Sequence, residues 1–157
     1  MHLEFKSVNL EQHFDFCVEA RKDAYLCSFE TYDGFSGFLD GYRERVLERL
    51  ARPEWFYIHV WVNGDIAGQL EFRSVSSEHY TGYVHLLYLK PEYRGIGLAQ
   101  SLHDYFVNAL LVAGCVRAVL SVSRKNLRAM KFYQRNGWEF VRANPKHAVT
   151  DFYQLTL

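Results

Sequence analysis

Residues 55 to 73 read WFYIHVWVNGDIAGQLEFR, two runs rich in β-branched and aromatic residues joined by Asn63-Gly64. A two-residue Asn-Gly loop supplies the positive φ angles that a tight antiparallel connection demands, and its twist matches that of the strands it joins. The stretch therefore predicts a hairpin in the middle of the chain.

The other segments arrange themselves around it. HLEFKSV (2 to 8) alternates Leu3 and Phe5 with Glu4 and Lys6, the pattern of a short strand. Asn9, with Gln12 three residues on, resembles a capping box for a helix from 10 to about 26, where Leu10, Phe14, Cys17, Val18 and Tyr25 recur at helical intervals. Gly34 and Gly37 mark a mobile connection. Phe38, Tyr42, Val46, Leu47 and Leu50 then define a second amphipathic helix that ends near Pro53. TGYVHLLYLK (81 to 90) predicts a strand stopped by Pro91, followed by a long helix from about 97 to 113. Leu98, Leu102, Tyr105, Phe106, Ala109 and Leu110 form its buried stripe, and Gly114 its stop. Strand RAVLSV (117 to 122), helix NLRAMKFYQRN (126 to 136), strand WEFVRA and a last strand near DFYQLTL complete the chain. Helices separating later strands from a strand-rich middle give a mixed α/β or α+β domain. No repeat or linker interrupts residues 1–157, which predicts one domain.

Charge and cysteine content narrow the partners. Lys plus Arg and Asp plus Glu are 18 each, so no net field draws the chain to nucleic acid or an anionic membrane. No segment approaches the roughly 20 apolar residues of a membrane span. Cys17, Cys27 and Cys115 form no CxxC and no metal spacing, which predicts buried reduced thiols in a cytoplasmic protein. The seven histidines show neither HxxxH nor HExxH, so no metal site is expected.

Between strand and long helix lies PEYRGIGLAQSL (91 to 102). Gly95 and Gly97 allow positive φ and a close approach to the main chain. The helix start beyond them leaves amides unpaired, with Arg94 as an extra cation, which suits a phosphate. A plain strand-to-helix turn explains the glycines equally well. A P-loop requires GxxxxGK[ST] and a dinucleotide fingerprint GxGxxG, and neither pattern is met.

Read from Arg94, the stretch Arg94, Gly95, Ile96, Gly97, Leu98, Ala99 matches [RQ]xxGx[GA], and Asn126-Leu-Arg-Ala129-Met-Lys-Phe132-Tyr133-Gln-Arg-Asn-Gly137-Trp138 matches N-x-x-A-x-x-[FL]-Y-x-x-x-G-[FW]. In these two motifs and the elements between them, residues 82 to 142, the chain resembles the GNAT superfamily of N-acetyltransferases. The resemblance implies a central, mostly antiparallel sheet flanked by helices. It also implies acetyl-CoA as co-substrate, with the pyrophosphate on the glycine loop and the pantetheine arm beside Leu87, Tyr88, Leu89 and Asn126.

The implied reaction is direct acetyl transfer to a primary amine in a ternary complex. An aliphatic amine with a pKa of about 10 needs deprotonation, and a leaving thiolate of pKa near 8.5 needs a proton. Tyr133 occupies the family's proton-donor position. Many members carry a glutamate nine residues before the loop arginine, where this chain has His85. On strand alternation His85 shares a face with Leu87 and Leu89. Glu71 on the hairpin is the reserve base, and a water chain is the third route. The acceptor side, EARKDAYLCSFETYDGFSGFLDGY (19 to 42), holds Glu19, Asp23, Glu30, Asp33 and Asp40 among aromatics. They either attract a cationic amine or face water, as acidic residues on amphipathic helices usually do. A small-molecule amine, a peptide N-terminus and a lysine side chain all fit, and the resemblance leaves a homodimer open. The alternative reading is an acyl-CoA-binding module that has lost turnover.

Overall fold

A computed structural model describes residues 1–157. Its seven strands are β1 (Leu3–Ser7), β2 (Trp55–Val62), β3 (Asp65–Arg73), β4 (Thr81–Leu89), β5 (Arg117–Ser123), β6 (Glu139–Ala143) and β7 (Thr150–Thr156). They form one sheet in the order β1-β2-β3-β4-β5-β7-β6. Every neighbouring pair is antiparallel except β4 with β5. Asn63 and Gly64 take φ of 49° and 89°, the geometry the hairpin loop requires. This is the mixed α/β architecture that the strand and helix pattern predicts.

Five helices cover the sheet: α1 (Leu10–Phe29), α2 (Phe35–Leu39), α3 (Tyr42–Leu50), α4 (Leu98–Val112) and α5 (Leu127–Arg135). Asn9 caps α1 by accepting from the Gln12 amide at 3.1 Å. That helix runs three residues beyond the expected end and stops at Glu30, whose φ is 60°. The connection after it contains the short α2, and Phe38 belongs there rather than to α3. A single 3₁₀ turn, Pro91–Tyr93, links β4 to the glycine loop.

The helices divide between the two faces. Leu98, Leu102, Phe106 and Leu110 of α4 pack with Leu70, Phe72, Val84 and Leu120 of the sheet, joined by Tyr133 of α5 and by Trp138. Burying each large side chain contributes about 1.5–3 kcal/mol. Buried His103 also lies on this stripe and accepts from the Trp138 indole at 3.0 Å, a satisfied polar group the apolar pattern does not reveal. On the opposite face, Cys17 of α1 and Tyr42 and Val46 of α3 pack on Tyr57. Cys17 and Cys115 are buried as expected, but Cys27, on the side of α1 that borders an open cavity, is exposed. No helix is long and apolar enough to cross a membrane.

Candidate active site

β4 and β5 pair only from Thr81 with Arg117 to Val84 with Leu120. Both strands continue, β4 to Leu89 and β5 to Ser123, so beyond Val84 they splay and open the sheet. A cavity of about 490 Å³ occupies the gap, walled by β4, β5, α5, the glycine loop and the Ala24–Ser28 side of α1. Main-chain direction on its β4 wall follows from one bond. The Lys90 amide donates to Ala67 of the β3 side at 2.8 Å. Alternation then turns the Tyr88 amide toward β3 and the Leu87 and Leu89 amides toward the gap.

The splay follows an irregularity in β4. Glu71 of β3 pairs with Leu86 and Phe72 with Val84, so His85 has no partner residue and forms a β-bulge. The extra residue overturns the alternation expected from sequence. Leu87 and Leu89 pack with the α4 core. His85 instead stacks on Trp55, with ring centroids 5.1 Å apart, and lies 4.6 Å from Tyr83 on the other face.

His85 lines the cavity but is a poor proton acceptor as it stands. Burial first, and then the charges of Arg73, Arg21 and Arg49, lower its pKa from 6.5 to about 3. A histidine with a lowered pKa protonates only below that value, so it stays neutral from pH 5 to 8. An acidic limb near pH 6 to 7, expected of an ordinary histidine base, therefore belongs to another group. The pH–rate profile of His85→Ala should keep any such limb where the wild type has it. A limb that disappears in the variant would overturn this assignment.

Glu71 does not reach the cavity. It is fully buried, accepts from Arg21 at 2.5 and 3.2 Å, from the Tyr42 hydroxyl at 3.0 Å and from Gln69 at 2.6 Å. Gln69 bonds His59 in turn, at 2.8 Å. A fully buried carboxylate with four donors and a guanidinium partner is an anchor for α1 and α3 on the sheet, closed off from a substrate ammonium in the cavity.

Between cavity and helix, Gly95 and Gly97 adopt φ of 79° and 87°. A Cβ placed on Gly97 would meet nothing within 4 Å, so the loop is open on the side facing away from the chain. Gly97 is the N-cap of α4 and offers no side-chain bond to its first amides, and no acid stands in that first turn. These free N–H groups and the helix dipole form a cradle for an anion. Arg94 lines the cavity, yet its guanidinium is held by Asp23 at 2.8 Å and by the Leu89 carbonyl at 2.9 Å. A second cation, Arg128, stands beside the loop, its Nη2 3.9 Å from where a Cβ on Gly95 would be. The motif pattern treats position 128 as unconstrained, so sequence reasoning missed it.

Gly95, Gly97 and Ala99 line the cavity, whereas Leu98 is buried in the core and Ile96 is exposed. Asn126 caps α5 by accepting from the Ala129 amide at 3.2 Å, and it also borders the cavity, as do Ala129 and Tyr133 one turn apart. Burial raises the Tyr133 phenol above its usual range, so it stays protonated. The acidic residues of the first helices scatter. Asp23 binds Arg94 and the Tyr88 hydroxyl, while Glu19, Glu30, Asp33 and Asp40 are exposed. No group of three or more His, Cys, Asp or Glu side chains is placed to share a metal.

The model of the acetyltransferase (GNAT) family matches residues 15–138. The chain belongs to that family. Its fold is also that of solved GNAT structures. The PaiA N-acetyltransferase of Thermoplasma acidophilum, solved in complex with coenzyme A, superposes with a TM-score of 0.84 at 16% identity over 100% of both chains. An acetyltransferase of Thermus thermophilus gives 0.74 at 16% identity over 100% of this chain and 98% of that one. An N-acetyltransferase of Staphylococcus aureus gives 0.74 at 17%, over 99% of each. The chemistry of the family is acetyl transfer, and the splayed strands and open loop are the parts of this chain suited to it.

Proposed function

We propose that residues 1–157 act as one N-acetyltransferase domain, which moves the acetyl group of acetyl-CoA to a primary amine by direct transfer in a ternary complex. The observation that carries this reading is the meeting of two features: the gap between β4 and β5 opens directly onto the unblocked loop at the start of α4. An elongated molecule with a pyrophosphate partway along it fits both at once. The α4 amides and Arg128 hold the pyrophosphate, and the pantetheine arm enters the gap as a surrogate strand against the free edge of β4.

In the reaction the amine nitrogen attacks the thioester carbon, and negative charge develops on the carbonyl oxygen. The Leu87 or Leu89 amide donates to that oxygen. As the C–S bond breaks, the thiolate takes a hydrogen bond and then a proton from Tyr133, which recovers one from solvent. With Glu71 sealed and His85 of low basicity, the ammonium proton leaves through water in the open cleft.

Acetyl-CoA should raise the melting temperature by binding the folded state, and free thiol should appear when a suitable amine is added. No shift at millimolar acetyl-CoA would sink the proposal. A shift without thiol release for any amine would favour the alternative, a binding module without turnover. Tyr133→Phe should slow turnover by about 10²–10⁴, the scale of a lost general acid, with the acetyl-CoA dissociation constant nearly unchanged. Unchanged turnover in that variant would remove the acid role.

A further inference from the structure

His85 joins the cleft to a second cluster of side chains. On the sheet face covered by α1 and α3, the guanidinium carbons of Arg49 and Arg73 lie 4.0 and 5.4 Å from the Trp55 ring centroid. Arg73 is also 5.5 Å from the Tyr83 ring, and His85 stacks on Trp55. All five side chains are half-buried.

The charges in this cluster are not balanced. Three guanidiniums act on His85, those of Arg73, Arg21 and Arg49, and of these Arg21 is paired with Glu71. No carboxylate lies within the 4.0 Å of an ion pair from Arg49 or Arg73, and nearby Glu48 is paired with Arg52 instead. Arg49 donates one N–H to the Tyr57 hydroxyl at 3.0 Å. Arg73 Nε and His85 Nε2 are buried without any hydrogen-bond partner. Half-burying two cations with no counter-ion is costly, and contact with an aromatic face offsets only part of that cost. The unused N–H groups belong to planar forks, whose geometry matches a carboxylate, beside the Trp55 ring.

We propose that Arg49 and Arg73 bind a carboxylate of the acceptor, so that the substrate is an amine that also carries a carboxylate, as an amino acid does. The inference rests on reading the cleft as an acetyltransferase site. The carboxylate docks beside Trp55, and the carbon skeleton passes His85 at the bulge. The amine then reaches the thioester in the gap. Asp23 of α1 is occupied by Arg94 and is not free to pair with the amine.

The test uses matched pairs: the common amino acids and β-alanine, each against its carboxamide, with free-thiol release from acetyl-CoA as the readout. At least one carboxylate should be used with a kcat/KM at least about tenfold above that of its amide, the scale of a charge-assisted fork. Arg73→Gln should erase the difference mainly through KM, and Arg73→Lys should restore part of it. O-phosphoethanolamine serves as a phosphate arm, and a preference for it over β-alanine would overturn the carboxylate assignment. Independently of turnover, β-alanine should shift the Trp55 indole resonance saturably in the wild type and not in Arg73→Gln. If that shift is missing, or if amides serve as well as carboxylates, the inference fails. A retained melting shift with acetyl-CoA, together with thiol release, would then leave the transferase reading standing. Loss of the acetyl-CoA shift would remove both.

Discussion

Gly97→Trp should weaken acetyl-CoA binding by at least about a hundredfold, close to 2.7 kcal/mol, and abolish the ligand-induced rise in melting temperature. A Cβ at this position points into open space, so an indole there would fill the volume proposed for the pyrophosphate at the first amides of α4. The φ of 87° adds strain for any L side chain, so the variant is also expected to melt lower without ligand. Titration at a temperature where circular dichroism shows native helix content separates the two effects. Wild-type affinity in the folded variant would place the anion cradle elsewhere.

Glu71→Gln should produce the largest loss of stability. It leaves Arg21, whose side chain is 18% exposed, facing a neutral amide inside a network that also holds Tyr42, Gln69 and His59. Removing one partner of a buried ion pair costs about 3–5 kcal/mol. For a chain of this size each kcal/mol moves the midpoint by about 2–4 °C, so a fall on the order of 10 °C is expected. The variant also separates anchor from base. At a temperature where it is folded, turnover should stay within about tenfold of wild type, whereas loss of a general base costs about 10²–10⁴. Activity lost without a drop in melting temperature would restore Glu71 as the base.

The glutamate and histidine candidates show where sequence reasoning stops. Both are picked out by residue type and by distance along the chain, and both are close to the cleft in space. What decides their chemistry is a set of neighbours from other elements: Arg21 from α1 and Tyr42 from α3 for Glu71, Trp55 and Arg73 for His85. Strand alternation also misplaces His85, because TGYVHLLYLK is apolar on both faces and carries no mark of the residue that bulges. Arg94 is legible as part of a motif, but its engagement by Asp23 depends on α1 crossing over β4.

By itself the sequence determined the order of the strands and of the longer helices, the Asn63-Gly64 hairpin, the helix cap at Asn9, and the family, because these depend on local backbone preference and on spacing within a segment. The tertiary structure alone decided where β4 leaves β5, which amides face the gap, that Arg128 rather than Arg94 stands free beside the loop, and that two arginines share one aromatic surface without a counter-ion. Those features arise from contacts between residues far apart in the chain, and pairing, burial and charge balance exist only once such residues have met.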